Sequence, residues 1–154
     1  LLNLINNFYP LVFLVYNLIM NNYTDTLREH NLKATPQRLA IADVLYANGH
    51  ISIESLYEVM IKRFSSISLA TIYKNINLML ENSFIQEVKI PNSKSVYELT
   101  KSSHSHLVCE VCDHVSDIDI DLKNIIENTS KLNNFQIDKT DLILSGVCKN
   151  CQLS

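Results

Sequence analysis

The chain has 154 residues, 47% hydrophobic and 19% charged, with two glycines and three prolines. That balance excludes a disordered chain, and we find no glycine-rich phosphate loop. The net charge of −3 excludes a broad basic surface as the route to nucleic acid, because neutralising phosphate takes Lys and Arg. Residues 23–100 carry eight basic and eight acidic side chains, and residues 101–154 five and eight. Any nucleic-acid contact must therefore rest on local placement.

Leu1–Ile19 begins without methionine and contains the apolar run Pro10–Tyr16. It has neither the positive n-region nor the small-residue cleavage site of a signal peptide. Asn3, Asn6, Asn7, Pro10 and Asn17 interrupt it, whereas a spanning helix needs about 20 apolar residues. Residues 1–19 are expected to be an upstream extension ahead of a start at Met20; the alternative is a short apolar helix packed on the domain or a partner.

Tyr23–His30 reads as a short helix ending near Asn31. Thr35-Pro36 supplies an N-cap and a proline at the first helical position, opening a helix that buries Leu39, Ala42, Leu45 and Tyr46 and ends at Gly49. Ser52 caps a third helix with Leu56, Val59 and Met60 inward. Ser66 or Ser68 caps a fourth, Leu69–Asn82, in which Ile72, Ile76, Met79 and Leu80 form a stripe at helical spacing. The period then changes. Ile85–Ile90 and Ser95–Leu99 read as strands joined by a turn at residues 91–94. Short helices followed by a hairpin describe a winged helix-turn-helix over residues 20–100.

Residues 101–103 form a polar hinge. In residues 104–154, His106–Glu110, His114–Ile120, Phe135–Ile137 and Leu142–Val147 read as strands and Leu122–Leu132 as a helix. The fold class is α+β: a winged-helix domain plus a small C-terminal α/β dimerisation and metal-binding domain. About 50 residues form a marginal core, which a metal or a partner subunit strengthens.

The cysteines form two pairs, Cys109-x-x-Cys112 and Cys148-x-x-Cys151. Each pair can place two thiolates on one ion, and together they complete a tetrahedral structural Zn²⁺ site with no open position for catalysis. Free or redox cysteines and disulfides are the alternatives. Just before Cys109, His104-x-His106 puts two imidazoles on one side of an extended strand. Glu98 and Asp117 are the nearby carboxylates, His50 sits at the loop after the second helix, and such nitrogen and oxygen donors suit Fe²⁺, Mn²⁺ or Zn²⁺. The plainer reading of each histidine is a solvated side chain, and His30 and His114 are assigned to it.

Five segments resemble the ferric-uptake-regulator family, and within it the peroxide-sensing repressors. They are Thr35–Arg38, Gly49-His50, Ser68–Asn75, His104–Cys112 and Gly146–Cys151. The resemblance implies a cytoplasmic homodimer that binds palindromic A/T-rich double-stranded DNA as a metal-dependent repressor. It matches His50, Glu98, His104, His106 and Asp117 to regulatory ligands for Fe²⁺ or Mn²⁺. An ion bonded to both domains would fix the spacing of two recognition helices, whose half-sites lie about 34–36 Å or a multiple apart. The resemblance makes Leu69–Asn82 the recognition helix, with Thr71, Tyr73, Lys74, Asn75 and Asn77 toward the groove and Lys33, Arg38 and Lys94 at phosphates.

Asp117 resembles the peroxide sensors, and Ser105 between the two histidines departs from the iron-uptake pattern, whereas Glu98 stands where the best-known peroxide sensors carry aspartate. The peroxide reading implies Fe²⁺-catalysed oxidation of His50 or His104, with release of the ion and the DNA. An iron- or zinc-responsive repressor is the alternative within the family. No enzyme is expected, since neither H-E-x-x-H nor the zinc-deaminase arrangement occurs. A zinc-ribbon interaction module without a DNA role is the remaining rival. No membrane and no small-molecule substrate other than peroxide is expected.

Overall fold

The computed structural model describes residues 23–153. The expected extension at residues 1–19 lies outside them. Contacts divide between Thr100 and Lys101 into two compact units.

In the first unit, residues 23–29 are helical (α1). Asn31 ends that helix at φ 57°, a left-handed conformation asparagine tolerates, and the Leu32 N–H donates to the Leu27 carbonyl at 2.8 Å. Helix α2 spans Pro36–Asn48, with Thr35 Oγ1 accepting from the Arg38 N–H and Gly49 closing it at φ 69°. Helix α3 spans Ile53–Arg63 behind the Ser52 cap. Helix α4 spans Leu69–Glu81, and of the two candidate serines it is Ser68 whose hydroxyl accepts from the Thr71 N–H.

Ile41, Leu45, Leu56, Met60, Ile72, Ile76 and Met79 are each at most 1% exposed and form the centre of the core. On α2 the buried face differs from the expected one. Ala40, Ile41, Ala42, Val44 and Leu45 are buried, Leu39 is half-buried, and Tyr46 is 61% exposed. Its apolar residues are spread round the helix rather than gathered on one side, so periodicity cannot locate its inner stripe. Tyr46 instead meets the edge of Tyr23 at 6.2 Å between ring centroids. Ile76 has no such latitude: Ile76→Ala should lower stability by about 2–5 kcal/mol in urea unfolding, the range for emptying a tight aliphatic site.

Strands β1 (Ile85–Val88) and β2 (Val96–Leu99) pair antiparallel, with Gln86 opposite Glu98. Ile51 adds a bridge to Tyr97, closed by both backbone hydrogen bonds at 3.1 and 2.9 Å. This bridge ties the residues after α2 to the second strand of the hairpin.

The second unit contains β3 (Ser105–Cys109), β4 (Val115–Ile118), α5 (Lys123–Asn133), β5 (Ile143–Gly146) and α6 (Lys149–Gln152), its strands ordered β4-β3-β5. β4 returns antiparallel to β3, whereas β5 lies parallel to it and therefore needs the long connection through α5. The strand expected at Phe135–Ile137 does not form. Both edges of β3 are taken by β4 and β5, and Phe135 is used in the helix cap, its N–H donating to the Ser130 carbonyl beyond left-handed Asn134. Helix α6 went unread because four residues give no periodicity.

Among the described residues of this unit the buried apolar side chains are Val108, Cys109 and Val115. No residue of α5 or α6 is buried. No helix among the described residues is long and apolar enough to cross a membrane.

Candidate functional site

The four cysteines are brought together by strand pairing. Cys109 ends β3, and Cys112 lies in the turn that follows, closed by the Asp113 N–H on the Cys109 carbonyl at 2.9 Å with Asp113 at φ 56°. Parallel pairing sets Cys109 opposite Gly146, so Cys148, two residues on, points its N–H at Cys109 Sγ at 3.3 Å. Cys148 caps α6, and Cys151 follows it in the turn closed by the Cys151 N–H on the Cys148 carbonyl at 3.0 Å. All four sulfurs lie within 4.8 Å of one another, with Cys112 and Cys148 3.9 Å apart. A tetrahedron with Zn–S bonds of about 2.3 Å has edges of about 3.8 Å, so this donor set fits zinc.

The protons agree with that. The Cys148 N–H, helped by those of Val111 and Cys112, holds the Cys109 thiol down at about 6. Cys151 is pushed up to about 12 by hydrogen bonding to the sulfurs of Cys148 and Cys112. Sulfurs this close lose their protons together only with a cation among them.

Nitrogen and oxygen donors occur in both units. In the first, the Ile51–Tyr97 bridge sets His50 beside β2, with His50 Nε2 3.4 Å from Glu98 Oε2. Glu98 is 1% exposed, and its Oε1 accepts from Gln86 Nε2 at 2.8 Å. In the second unit, the β3–β4 register puts His106 opposite Asp117. Asp117 Oδ1 lies 3.3 Å from His104 Nε2 and 3.8 Å from His106 Nε2, the two rings packing edge-on at 4.5 Å. Lys101 Nζ bonds the other Asp117 oxygen, and His104 Nδ1 meets the Ser102 carbonyl at 2.8 Å. Imidazoles beside carboxylates are a borderline-hard donor set, suited to a divalent transition ion.

On α4, Tyr73, Lys74 and Asn77 are exposed, while Thr71 is half-buried and shares a hydrogen bond with Ser68 Oγ at 2.9 Å. Asn75 departs from the sequence expectation. It is 7% exposed, donates to the Thr71 carbonyl at 2.9 Å and accepts from Arg38 Nε at 3.2 Å. Arg38 also donates to the Lys33 carbonyl at 2.9 Å, so Asn75 orients Arg38 from inside while Lys33 stays exposed. Lys94, on the hairpin tip, pairs with Glu54 at the start of α3 at 2.7 Å. The pair draws the Glu54 carboxyl below its ordinary range.

His30 is not merely solvated. Its Nδ1 meets the Asn82 carbonyl at 2.8 Å, and its ring stands perpendicular to Phe84. His114 is exposed. Gln86 and Lys101, the side chains that hold the two carboxylates, went unread because only strand register and turn geometry reveal them.

The chain as a whole is similar to known proteins. The chain is 30% identical to the peroxide-responsive repressor PerR of Staphylococcus aureus over 129 residues, covering 82% of this chain and 87% of that protein. The solved ferric uptake regulator of Vibrio cholerae, whose DNA-binding domains rearrange, superposes with a TM-score of 0.71 at 32% identity, covering 82% and 99% of the two chains. The Campylobacter jejuni peroxide stress regulator superposes with a TM-score of 0.66 at 33% identity, covering 82% and 97%. The sequence profile of the ferric uptake regulator family matches residues 29–145. The chain therefore belongs to the ferric uptake regulator family and is a metal-responsive transcription regulator rather than an enzyme.

Proposed function

We propose that this chain is a cytoplasmic, dimeric repressor of palindromic A/T-rich promoters that answers hydrogen peroxide. In this reading residues 20–100 read DNA, residues 101–103 are the hinge, and residues 104–154 dimerise and hold metal. Zn²⁺ occupies Cys109, Cys112, Cys148 and Cys151. Fe²⁺ or Mn²⁺ is held by His50 and Glu98 from the first unit and by His104, His106 and Asp117 from the second.

One observation carries this reading: in each unit an imidazole Nε2 faces a carboxylate oxygen at 3.3–3.8 Å, apart from the thiol cluster. Sulfur donors and nitrogen/oxygen donors are thus sorted into sites of different hardness. The thiols are committed to a closed site, which leaves the imidazoles as the oxidisable groups beside a redox ion. Bound Fe²⁺ supplies one-electron reduction of peroxide there. The chain's own part is to hold His50 and His104 within reach and to lose grip when an imidazole is oxidised. Ile125, Leu132, Phe135 and Leu144, all exposed on the second unit, support a partner subunit over that surface.

Peroxide sensing draws on Asp117 and on the likeness to the Staphylococcus aureus repressor. Glu98 and the 32% identity to the Vibrio cholerae regulator favour an iron-responsive repressor as the second reading. The test is to load the protein from Met20 with Fe²⁺ or Mn²⁺ without oxygen, add stoichiometric peroxide, and follow DNA binding and peptide masses. Loss of DNA by the iron form alone, with oxygen added to His50 or His104, is the expected result. Retention of DNA by both forms with unmodified histidines would identify a metal-uptake repressor.

The DNA role makes a separate prediction. Arg38→Ala should weaken binding uniformly across operator sequences and reduce the slope of log affinity against log salt by about 1, as removal of one phosphate contact does. A sequence-dependent loss would place Arg38 at a base instead.

A further inference from the structure

Glu98 is a buried carboxylate with its two oxygens in different hands. Gln86 and Glu98 are directly opposite in the β1–β2 register, so their side chains leave the same face of the hairpin. The Gln86 amide donates to Oε1 at 2.8 Å, and Oε2 is turned to His50 Nε2 at 3.4 Å. Asp117 is divided in the same way within its own unit, with Lys101 on Oδ2 and both imidazoles toward Oδ1.

From this geometry we infer that Gln86 is a positioning residue that holds Glu98 to one-oxygen ligation and so sets the coordination number of the regulatory ion. The inference rests on the reading of His50 and Glu98 as ligands.

The physical reason is competition for one oxygen. A carboxylate can offer a cation one oxygen or both, and an amide N–H bonded to Oε1 competes with a cation for that oxygen and holds the carboxylate in one orientation. The carboxylate is 1% exposed, so water does not readily replace that bond. With the amide in place, Oε2 alone is offered, and a coordination position is kept for a small exogenous ligand. Without it, the carboxylate is free to turn and chelate. Groups that orient ligating side chains in this way typically carry 10–100-fold in metal affinity.

The experiment uses full-length protein with zinc retained on the cysteines. Wild type, Gln86→Met (similar size, no donor) and Glu98→Ala are titrated with Mn²⁺, and their Co²⁺ forms are compared by visible absorption. Ligand-field bands weaken as coordination number rises, so this readout is insensitive to a mere loss of stability. For Gln86→Met we expect weaker Co²⁺ bands, Mn²⁺ affinity changed about 10-fold, unchanged zinc content, and a lowered apo melting temperature because Glu98 Oε1 loses its buried donor. If Glu98→Ala loses the ion while Gln86→Met matches wild type in affinity and spectrum, the inference is wrong and the ligand reading stands. If Glu98→Ala binds as wild type does, the ligand reading itself fails, and the inference with it. A destabilised Gln86→Met whose Co²⁺ spectrum is unchanged would assign Gln86 a packing role only and overturn the proposal.

Discussion

Removing zinc should unfold residues 101–153 while the helical unit stays folded. The second unit has Val108, Cys109 and Val115 as its buried apolar side chains, and α5 contributes none. A core that small does not offset the ordering entropy of some 50 residues. Four thiolates on one ion would tie the end of β3, the turn after it and the start of α6 to a single point. Structural zinc contributes an apparent 10–16 kcal/mol (about, near neutral pH) in small zinc-dependent domains, more than most domains have in total.

All the described tyrosines lie in the first unit, so amide exchange is a better monitor than aromatic signals. Under a strong chelator, or in Cys148→Ser, the amides of β3, β4 and β5 should lose protection while those of α2–α4 keep theirs. Zinc uptake should strengthen as pH rises. Cys109, held at about 6, is already ionised at neutral pH, whereas Cys151, pushed up to about 12 before metal arrives, must release its proton to bind. Unchanged exchange in a zinc-free protein would mean that the cysteines do not hold this unit together.

His50→Ala should abolish the response of DNA affinity to Mn²⁺ without unfolding the protein. The backbone of this segment is secured by the Ile51–Tyr97 bridge, which alanine at position 50 leaves intact. What is lost is the imidazole beside Glu98 Oε2. If His50 and the three ligands beyond Thr100 share an ion, the coupling between metal and DNA runs through that bond. Couplings of this kind are typically 5–150-fold, so the variant should keep roughly apo-level DNA affinity at any moderate Mn²⁺ concentration. Anisotropy titrations of labelled operator with and without Mn²⁺ measure this directly. A full Mn²⁺ response in His50→Ala would remove it from the regulatory set.

Local chemistry made much of this molecule legible in the sequence. Thr35, Ser52 and Ser68 announce helix starts because a hydroxyl one residue before a helix can take an otherwise orphaned N–H. The stripe on α4 was visible because its other face is polar. The stripe on α2 was not, since apolar residues spread round a helix give no single face to read, and only packing decided that Ile41 and Val44 go in and Tyr46 stays out.

The candidate site divides along the same line. Cys-x-x-Cys and His-x-His are short-range patterns whose spacing alone states what they can bind, so the donor types followed from sequence by itself. Which atoms face one another depends on contacts far apart in the chain. The parallel β3–β5 pairing sets Cys148 beside Cys109, the Ile51–Tyr97 bridge sets His50 beside Glu98, and hairpin register sets Gln86 on the second oxygen of Glu98. Asn75 shows the same limit: its residue type fitted a groove contact, and burial beneath Arg38 made it a brace. Residue types and short spacings determined the chemistry this chain can do, whereas strand register and burial, which sum over distant parts of the chain, decided which atoms are placed to do it.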